Sequence, residues 1–457
     1  MAVITTVMSS DVISENRFSA EYFNPKYVFS KNPMSEWERI GKILKRYQYG
    51  ISIAMNENGT GYPIFRMNEI SNCFAIKAEK YADITHKEFL KFRLMENDIL
   101  FNRTNSFEFV GRTGIVKEQT DSIFASYLIR IVPDTNKILP EYLTIYLNTE
   151  FGIGQIKRRA MPSINQSNVS ASELRRILVL VPHQDEQKQI AKSVNDAYEL
   201  NRQAIAQYLE ATQLLESELG LDKLVIDKPL SYEASFSEVI SNNRTDADYF
   251  QPKYRKIREI VKNYKHGWDY ILSLTSALSP NIDPKKTPGE QFSYVELADI
   301  DASLGRIISK QIVTGASAPS RARRLVKTGD IIASAVVGSV DKAALVDETS
   351  NEHLASTGFF HFRPLTVSSE YLLIMVKSLL VTTQLQQEST GGILSAVPDH
   401  RLKYVIVPRI PEAIQRQISV LVKNSHTAKR ESENLLKEAK KRVEDLIEEA
   451  THYESVN

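Results

Sequence analysis

The chain has 457 residues, 42% of them hydrophobic and 25% charged, with a formal net charge of +1 and one cysteine. That length is too great for one ordinary core and suits two to three domains, and the composition excludes disorder as the default. A lone Cys73 excludes an intramolecular disulfide and any multi-cysteine zinc site and fits a reducing cytoplasm; near-neutral charge excludes a uniformly basic surface, while leaving room for a local basic patch. No apolar run approaches the roughly 18 residues of a membrane span, and the opening MAVITTVMSSDV lacks the basic start and apolar stretch of a secretory signal.

In chain order, the first feature is SENRFSAEYFNPKY at 14–27, followed by YGIS at 49–52 and FRMNEI at 65–70. MENDILFNRT (95–104) leads into a polar loop, and FASYLIRIVP (124–133) has the short apolar composition of a strand. Leu139 to Leu147 reads as a helix after a turn. A basic, then polar cluster follows at 157–167, and the apolar run RILVLVP closes the first half at Pro182. From Gln184 to Leu219 there is no glycine or proline, and Glu, Lys, Gln, Ala and Leu dominate, which predicts a long helix.

The second half repeats these landmarks in the same order. SNNRTDADYFQPKY (241–254) is identical to the first motif at nine of fourteen positions, at an offset of 227 residues. YVELADI (294–300), VKTGDIIASA (326–335) and KYVIVPRIPEAIQRQI (403–418) answer FRMNEI, MENDILFNRT and RILVLVPHQDEQKQI (176–190). GFFHFRP (358–364) reads as a strand and Ser369 to Leu380 as a helix. An offset of half the chain is far too long for a solenoid repeat, so the pattern predicts a duplicated domain. Neither half shows the regular strand–helix alternation of a doubly wound sheet, so each is expected to be mixed α/β (α+β).

Each half ends in a long polar helix with seven-residue apolar spacing. The first carries Ile190, Val194, Ala197, Ala204, Tyr208, Ala211 and Leu215, with Asn201 at a seam position. The second carries Ile414, Ile418, Leu421, Ala428, Leu435, Ala439 and Leu446, with Ser425 and Ser432 at seam positions. A 3.5-residue period over about four heptads predicts a coiled coil, which two helices of one chain can form together; packing of each helix onto its own domain is the alternative. The expected divisions are a first domain at 1–183, a central helix at 184–222, a second domain at 223–410 and a final helix at 411–457.

This layout, with the strings YGIS, NDILFNRTNSFEFVGRTGIV (97–116) and QSNVSASELRRILVLVPHQDEQKQI (166–190), resembles the specificity subunits of Type I restriction-modification enzymes. The resemblance covers nearly the whole chain, and the last string is its most specific part. The second half departs from it, since TGGILSAVPDHRLKYVIVPRI keeps the outline but lacks the Gln-Ser opening. The resemblance implies two similar target-recognition domains joined by long helices that form an antiparallel coiled coil. Each domain is expected to read one half of a bipartite target in double-stranded DNA, with the helices setting the spacer and docking methyltransferase subunits. Catalysis then belongs to partners: methyltransferase subunits using S-adenosylmethionine on adenine, and a motor-nuclease subunit. Subunits of this layout also serve Type IIB-like systems.

Base reading needs Arg for guanine and Asn or Gln for adenine, and phosphate gripping needs Lys, Arg and small hydroxyls. In the first domain these are expected from Asn102, Arg103, Asn105, Ser106 and Arg112, and from Lys157, Arg158, Ser163 and Gln166. In the second, Arg321, Arg323 and Arg324 form the densest basic run, and Ser334, Ser339 and Lys342 align roughly with the first loop. The repeated Tyr22-Phe23 and Tyr249-Phe250 segments are expected to pack onto their own domain or onto the other half's helix, with stacking on DNA as the alternative.

No methyltransferase Asn-Pro-Pro-aromatic or Asp-Pro-Pro-aromatic string, G-x-G-x-x-G loop or G-x-x-x-x-G-K-[ST] loop occurs. Pro133-Asp134 and Pro398-Asp399 have no Glu-x-Lys at nuclease spacing, and the histidines show no H-x-x-x-H, so neither a nuclease nor a metal site is expected. Cys73 is expected to be a buried small apolar residue. The rival reading is a two-headed protein-interaction scaffold that works without DNA. The two separate on whether the loops at 102–112 and 157–167 fall on the same concave face.

Overall fold

A computed structural model describes residues 6–15, 18–20, 22–24, 37–226, 229–389 and 395–452. The chain divides into two compact units, one of residues 1–201 with 430–457 and one of residues 202–429. The divisions thus fall inside the two long helices, Gln184–Glu218 and Glu412–His452, and not at their starts.

In the first unit a six-stranded sheet runs in the order Leu44–Tyr49, Leu128–Pro133, Ile99–Asn102, Thr113–Ile115, Phe74–Ala75, Ile70–Ser71. A small sheet of Ile123–Phe124, Tyr62–Phe65 and Lys80–Ala82 contains a parallel and an antiparallel pair. Trp37–Arg39 pairs antiparallel with the closing strand Leu178–Leu180. YGIS is explained by close approach: a Cβ on Gly50 would meet the Ala125 oxygen at 2.2 Å, so only glycine fits.

The second unit repeats the six-stranded sheet and the closing strand pair. Its six-stranded sheet runs Thr275–Ala277, Phe359–Pro364, Ile331–Ser334, Ala343–Leu345, Arg306–Ile307, Ile300–Asp301. Its second sheet pairs Gln291–Val295 parallel with Leu354–Ser356 and antiparallel with Gln311–Thr314, and adds Ala322–Leu325 at the edge. Trp268–Tyr270 pairs with the closing strand Ile406–Pro408.

The recurring sequence landmarks are recurring caps. The Glu69 carboxylate accepts from the Arg66 N–H at 2.8 Å, and Asp299 accepts from Glu296 at 2.9 Å. Asp98 accepts from the Met95 N–H and Asp330 from the Lys327 N–H, both at 2.9 Å. A further shared device is silent in the sequence. The Gln155 amide donates to the Leu178 oxygen at 2.7 Å and accepts from its N–H at 3.0 Å. Gln384 does the same to Ile406, at 2.8 and 3.0 Å. Each buried glutamine therefore acts as a surrogate strand beside the closing strand.

Each unit also holds a segment of both long helices. In the first unit the Ser432 hydroxyl donates to the Ala197 carbonyl at 2.6 Å, and Arg442 pairs with Glu186 at 2.9 Å, so the helices run antiparallel. In the second, Ser425 donates to the Ala204 carbonyl at 2.6 Å. A serine reaching the neighbouring helix's main chain requires close packing, which the alanines at 197, 204 and 211 permit. On the central helix every expected seam residue is buried, including Asn201, and Gln187 extends the seam. On the final helix the spacing is corrected by one residue. Ile418, Ser425, Ser432, Ala439 and Leu446 lie inside as expected, but the positions between them are Val422, Lys429, Leu436 and Val443; Leu421 and Leu435 are only partly buried. The helices also join the domain cores: Ile190 and Val443 cluster with Tyr142, and Tyr208 and Val422 with Tyr371. The coiled coil and packing onto the domain therefore coexist.

The units differ at one buried carboxylate. Asp98 meets Arg130 at 3.2 Å, whereas Asp330 accepts from His361 at 2.6 Å and from Arg363 at 2.8 Å. Burial opposes ionisation of Asp330, but the His361 and Arg363 hydrogen bonds outweigh it and bring its pKa down to about 2. A depressed carboxylate stabilises the fold above its unfolded pKa of about 4, and that contribution disappears as pH falls towards 2. Allowing for screening through partly exposed Arg363, about 1–2 kcal/mol is at stake. Denaturant titrations of wild type and Asp330→Asn between pH 6 and pH 2.5 are expected to show that the variant lacks this acid-dependent loss. Gln155→Met and Gln384→Met are each expected to destabilise by roughly 1–3 kcal/mol per backbone group left unpaired. Urea denaturation is the measurement, and loss below 0.5 kcal/mol in both would contradict the surrogate-strand role.

Candidate nucleic-acid interface

The sequence clusters at 102–112 and 157–167 come together in one three-stranded sheet. Met161–Ser163 and Gln166–Asn168 form an antiparallel hairpin, and Gln166–Asn168 also pairs with Thr104–Asn105. The base of this sheet is anchored by main chain: the Arg103 N–H donates to the Tyr127 oxygen at 2.9 Å, and its carbonyl accepts from Val169 at 2.9 Å.

The side chains divide into those that build the loop and those that face outward. Asn102 is completely buried, and its amide donates to the Phe109 oxygen at 3.3 Å. The expectation that it reads a base is corrected: it folds the loop from beneath. Lys157 donates to the backbone oxygens of Phe107, of Glu108 at 2.9 Å and of Val110 at 2.9 Å. Burial lowers its pKa to about 8, with Glu108 opposing and Arg112 adding to the fall. An ammonium whose three protons are all donated inward ties down the turn, which corrects its expected role at the surface. Arg158 stacks on Tyr22 at 4.1 Å and donates to its carbonyl at 2.9 Å, so it too is spent internally.

Arg103 lies half-buried over the Tyr49 ring at 4.9 Å and donates to Asn168 at 3.2 Å. Asn105 accepts from the Ser106 N–H at 2.8 Å, and both residues are half-buried at the rim. Arg112 is exposed, its guanidinium 4.0 Å from the Phe109 ring centre, and burial of part of the group lowers its pKa. Ser163 and Gln166 stand exposed on the hairpin. Arg112, Ser163 and Gln166 are thus exposed, and Arg103 is half-buried. Asn168 and Tyr49 lie 65 and 54 positions from Arg103, too far for a local motif to mark them as its partners.

In the second unit the same backbone frame carries other side chains. The Ala335 N–H donates to the Gly358 oxygen at 2.9 Å, and its carbonyl accepts from Val397 at 2.8 Å, so Ala335 occupies the place of Arg103. Val336 bridges to Ala396, as Thr104–Asn105 does to the hairpin. Ser334 is completely buried and shares a hydrogen bond of 3.0 Å with Ser339; together they shape the turn. Lys342 donates to the Leu297 oxygen at 2.8 Å. Arg324 is buried, donating to the Leu278 oxygen and to Asp399 at 2.9 Å, and Arg323 pairs with Asp283. Ser334 and Arg324 are thus corrected from expected surface contacts to buried supports, whereas Ser339, Lys342 and Arg323 remain partly exposed. Arg321 is exposed, and its carbonyl accepts from Thr357, beside the Gly358 that holds Ala335.

The repeated aromatic segments pack on their own units. Tyr22, Phe23, Tyr249 and Tyr254 are buried, and Gln387 donates to the Tyr249 oxygen at 3.1 Å. Arg17, Pro25, Lys26 and Tyr27 lie outside the described residues. Cys73 is buried, and burial pushes its thiol pKa up. Among the described residues no group of three or more His, Cys, Asp or Glu is arranged to hold a metal ion, and no helix is long and apolar enough to cross a membrane.

Known proteins can now be set beside this geometry. Residues 34–211 match the Type I restriction modification DNA specificity domain. The chain is 33% identical over 167 residues to a protein of Methanocaldococcus jannaschii assigned as the MjaX specificity subunit of a type I restriction enzyme, covering 35% of this chain and 39% of that protein. It is 27% identical over 160 residues to the type I restriction enzyme EcoKI specificity subunit of Escherichia coli K12, covering 34% of each chain. The matches thus span less than two-fifths of these relatives' lengths. The solved S subunit of a type-I restriction-modification system from M. genitalium is similar at 12% identity over 92% of this chain and 98% of that one, with a TM-score of 0.45. Residues 34–211 of the chain are thus similar to the type I restriction modification DNA specificity domain.

Proposed function

We propose that the chain is the non-catalytic, DNA-reading subunit of a cytoplasmic restriction-modification complex. Each unit reads one half of a bipartite target in double-stranded DNA. The long helices set the spacer between the halves and dock methyltransferase subunits, which bind S-adenosylmethionine and methylate adenine; a motor-nuclease subunit completes the assembly.

One observation carries this reading. Both units hang a loop from the same pair of main-chain hydrogen bonds, yet the residue held there is Arg103 in one and Ala335 in the other. A constant frame with different side chains at its tip is what two heads need in order to select different base sequences. The pairing of Thr104–Asn105 with the hairpin at 161–168 supports it as well, since it brings the amides of Asn105, Gln166 and Asn168 together beside Arg103.

The test is selection from a random duplex library by the full chain with its methyltransferase subunits. Two separated blocks of preferred bases are expected. Arg103→Ala and Arg112→Ala should each cost about 1–3 kcal/mol at one block and leave the other unchanged. Affinity should fall with rising salt as phosphate counterions are released. Equal losses at both blocks, or salt-insensitive binding without base preference, would favour the protein-interaction scaffold.

A further inference from the structure

The hairpin at Met161–Asn168 has an unusual exposure pattern. A strand on a sheet normally alternates buried and exposed residues, because one face lies on a core. Here Met161, Pro162, Ser163, Ile164, Asn165 and Gln166 are all exposed in succession, and burial resumes only at Ser167. The ribbon therefore projects beyond its sheet with both faces in solvent. Its two-residue turn is Ile164-Asn165, with Asn165 in the left-handed region at φ +61°, a conformation that asparagine tolerates.

The tip carries an unexpected chemistry. Ile164 is 91% exposed, one of the most exposed large apolar side chains among the described residues, although a turn has no structural use for isoleucine. It is flanked by the Asn165 amide and followed by the Gln166 amide. An A·T pair displays in the major groove the acceptor–donor edge that such amides bind, and across from it the thymine 5-methyl, which takes an apolar contact. A two-stranded ribbon fits the major groove, about 12 Å wide, and not the minor groove at about 6 Å.

Resting on the DNA-reading function above, we propose that this hairpin enters the major groove of the first half-site, with Ile164 as a specificity-determining residue against a thymine methyl group. Asn165 or Gln166 then binds the adenine of the same or the neighbouring pair. Lys157 and Asn102 act as positioning residues, holding the adjoining loop against which the ribbon pairs.

The experiment uses the full chain with its methyltransferase subunits and the duplex selected by wild type. Each thymine is replaced in turn by deoxyuridine, which removes only the methyl group. Wild type is expected to lose about fourfold in affinity at one thymine of the first half-site, the equivalent of one buried methyl. Ile164→Ala should bind the unmodified duplex about fourfold more weakly and be indifferent to deoxyuridine at that one position. Ile164 is too exposed for the change to disturb folding, and unchanged thermal melting confirms that. A first half-site without an A·T pair, or an Ile164→Ala variant that senses every thymine methyl as wild type does, overturns the proposal while leaving DNA reading intact. Absence of any base preference in wild type overturns DNA reading itself.

Discussion

The candidate interface depends on two main-chain hydrogen bonds at the root of each loop. In the first unit they bind Arg103 to Tyr127 and Val169; in the second they bind Ala335 to Gly358 and Val397. A main-chain bond does not depend on the side chain at its position, so the strand register survives the change from a guanidinium to a methyl group. The same economy recurs around it. Asn102 and Ser334 occupy equivalent buried sites and both turn inward to shape the following turn, by different chemistry. Gln155 and Gln384 pin the closing strands in the same way. The main-chain frame is thus kept while the side chains mounted on it differ.

The helices obey a related constraint. Their seams alternate ordinary apolar residues with small ones, and two serines donate to carbonyls of the facing helix. Any larger side chain at Ser425 or Ser432 would force the backbones apart, and any loss of the hydroxyl would leave the facing carbonyl without its extra donor. Polar seam contacts of this kind fix one register against slippage by a heptad. In each unit the helices also enter the domain core. Each unit thus holds its own helix segments as part of its core.

Much of this was legible in advance, and for a physical reason. Caps, closing strands and heptads depend on local residue order, so the duplication, the strand-like runs and the seam at 190–215 could be read directly. Where spacing competed with composition it misled: Leu421 and Leu435 look like seam residues, but the seam runs through Val422, Lys429 and Leu436, a shift of one residue or about 100° around the helix. The candidate site was less legible. A loop rich in Asn, Arg and Ser has the same composition whether its side chains face DNA or their own backbone. Lys157, Arg158, Arg324 and Lys342 find carbonyl partners that lie 45 to 136 positions away, which no short window contains. Ile164 was passed over because an apolar residue in a polar cluster reads as background until its exposure is known.

The fate of these cations bears on the near-neutral charge. Of the basic residues gathered by sequence, Lys157, Arg158, Arg323, Arg324 and Lys342 are engaged within the protein, while Arg112 and Arg321 stand out in solvent. Cations engaged in this way leave the candidate surface fewer groups for phosphates, and phosphate neutralisation is the main source of sequence-independent affinity. What it can supply is discrimination: amides, hydroxyls and an exposed isoleucine on a projecting ribbon. On the proposed reading, the chain therefore contributes choice of sequence more than strength of grip. On that same reading the grip is left to the assembled complex, which suits a subunit whose errors would direct an enzyme to the wrong site. Tight, indiscriminate binding by a DNA reader would hold it on random DNA, whereas one that leans on amides and apolar contacts commits only when its side chains find their bases.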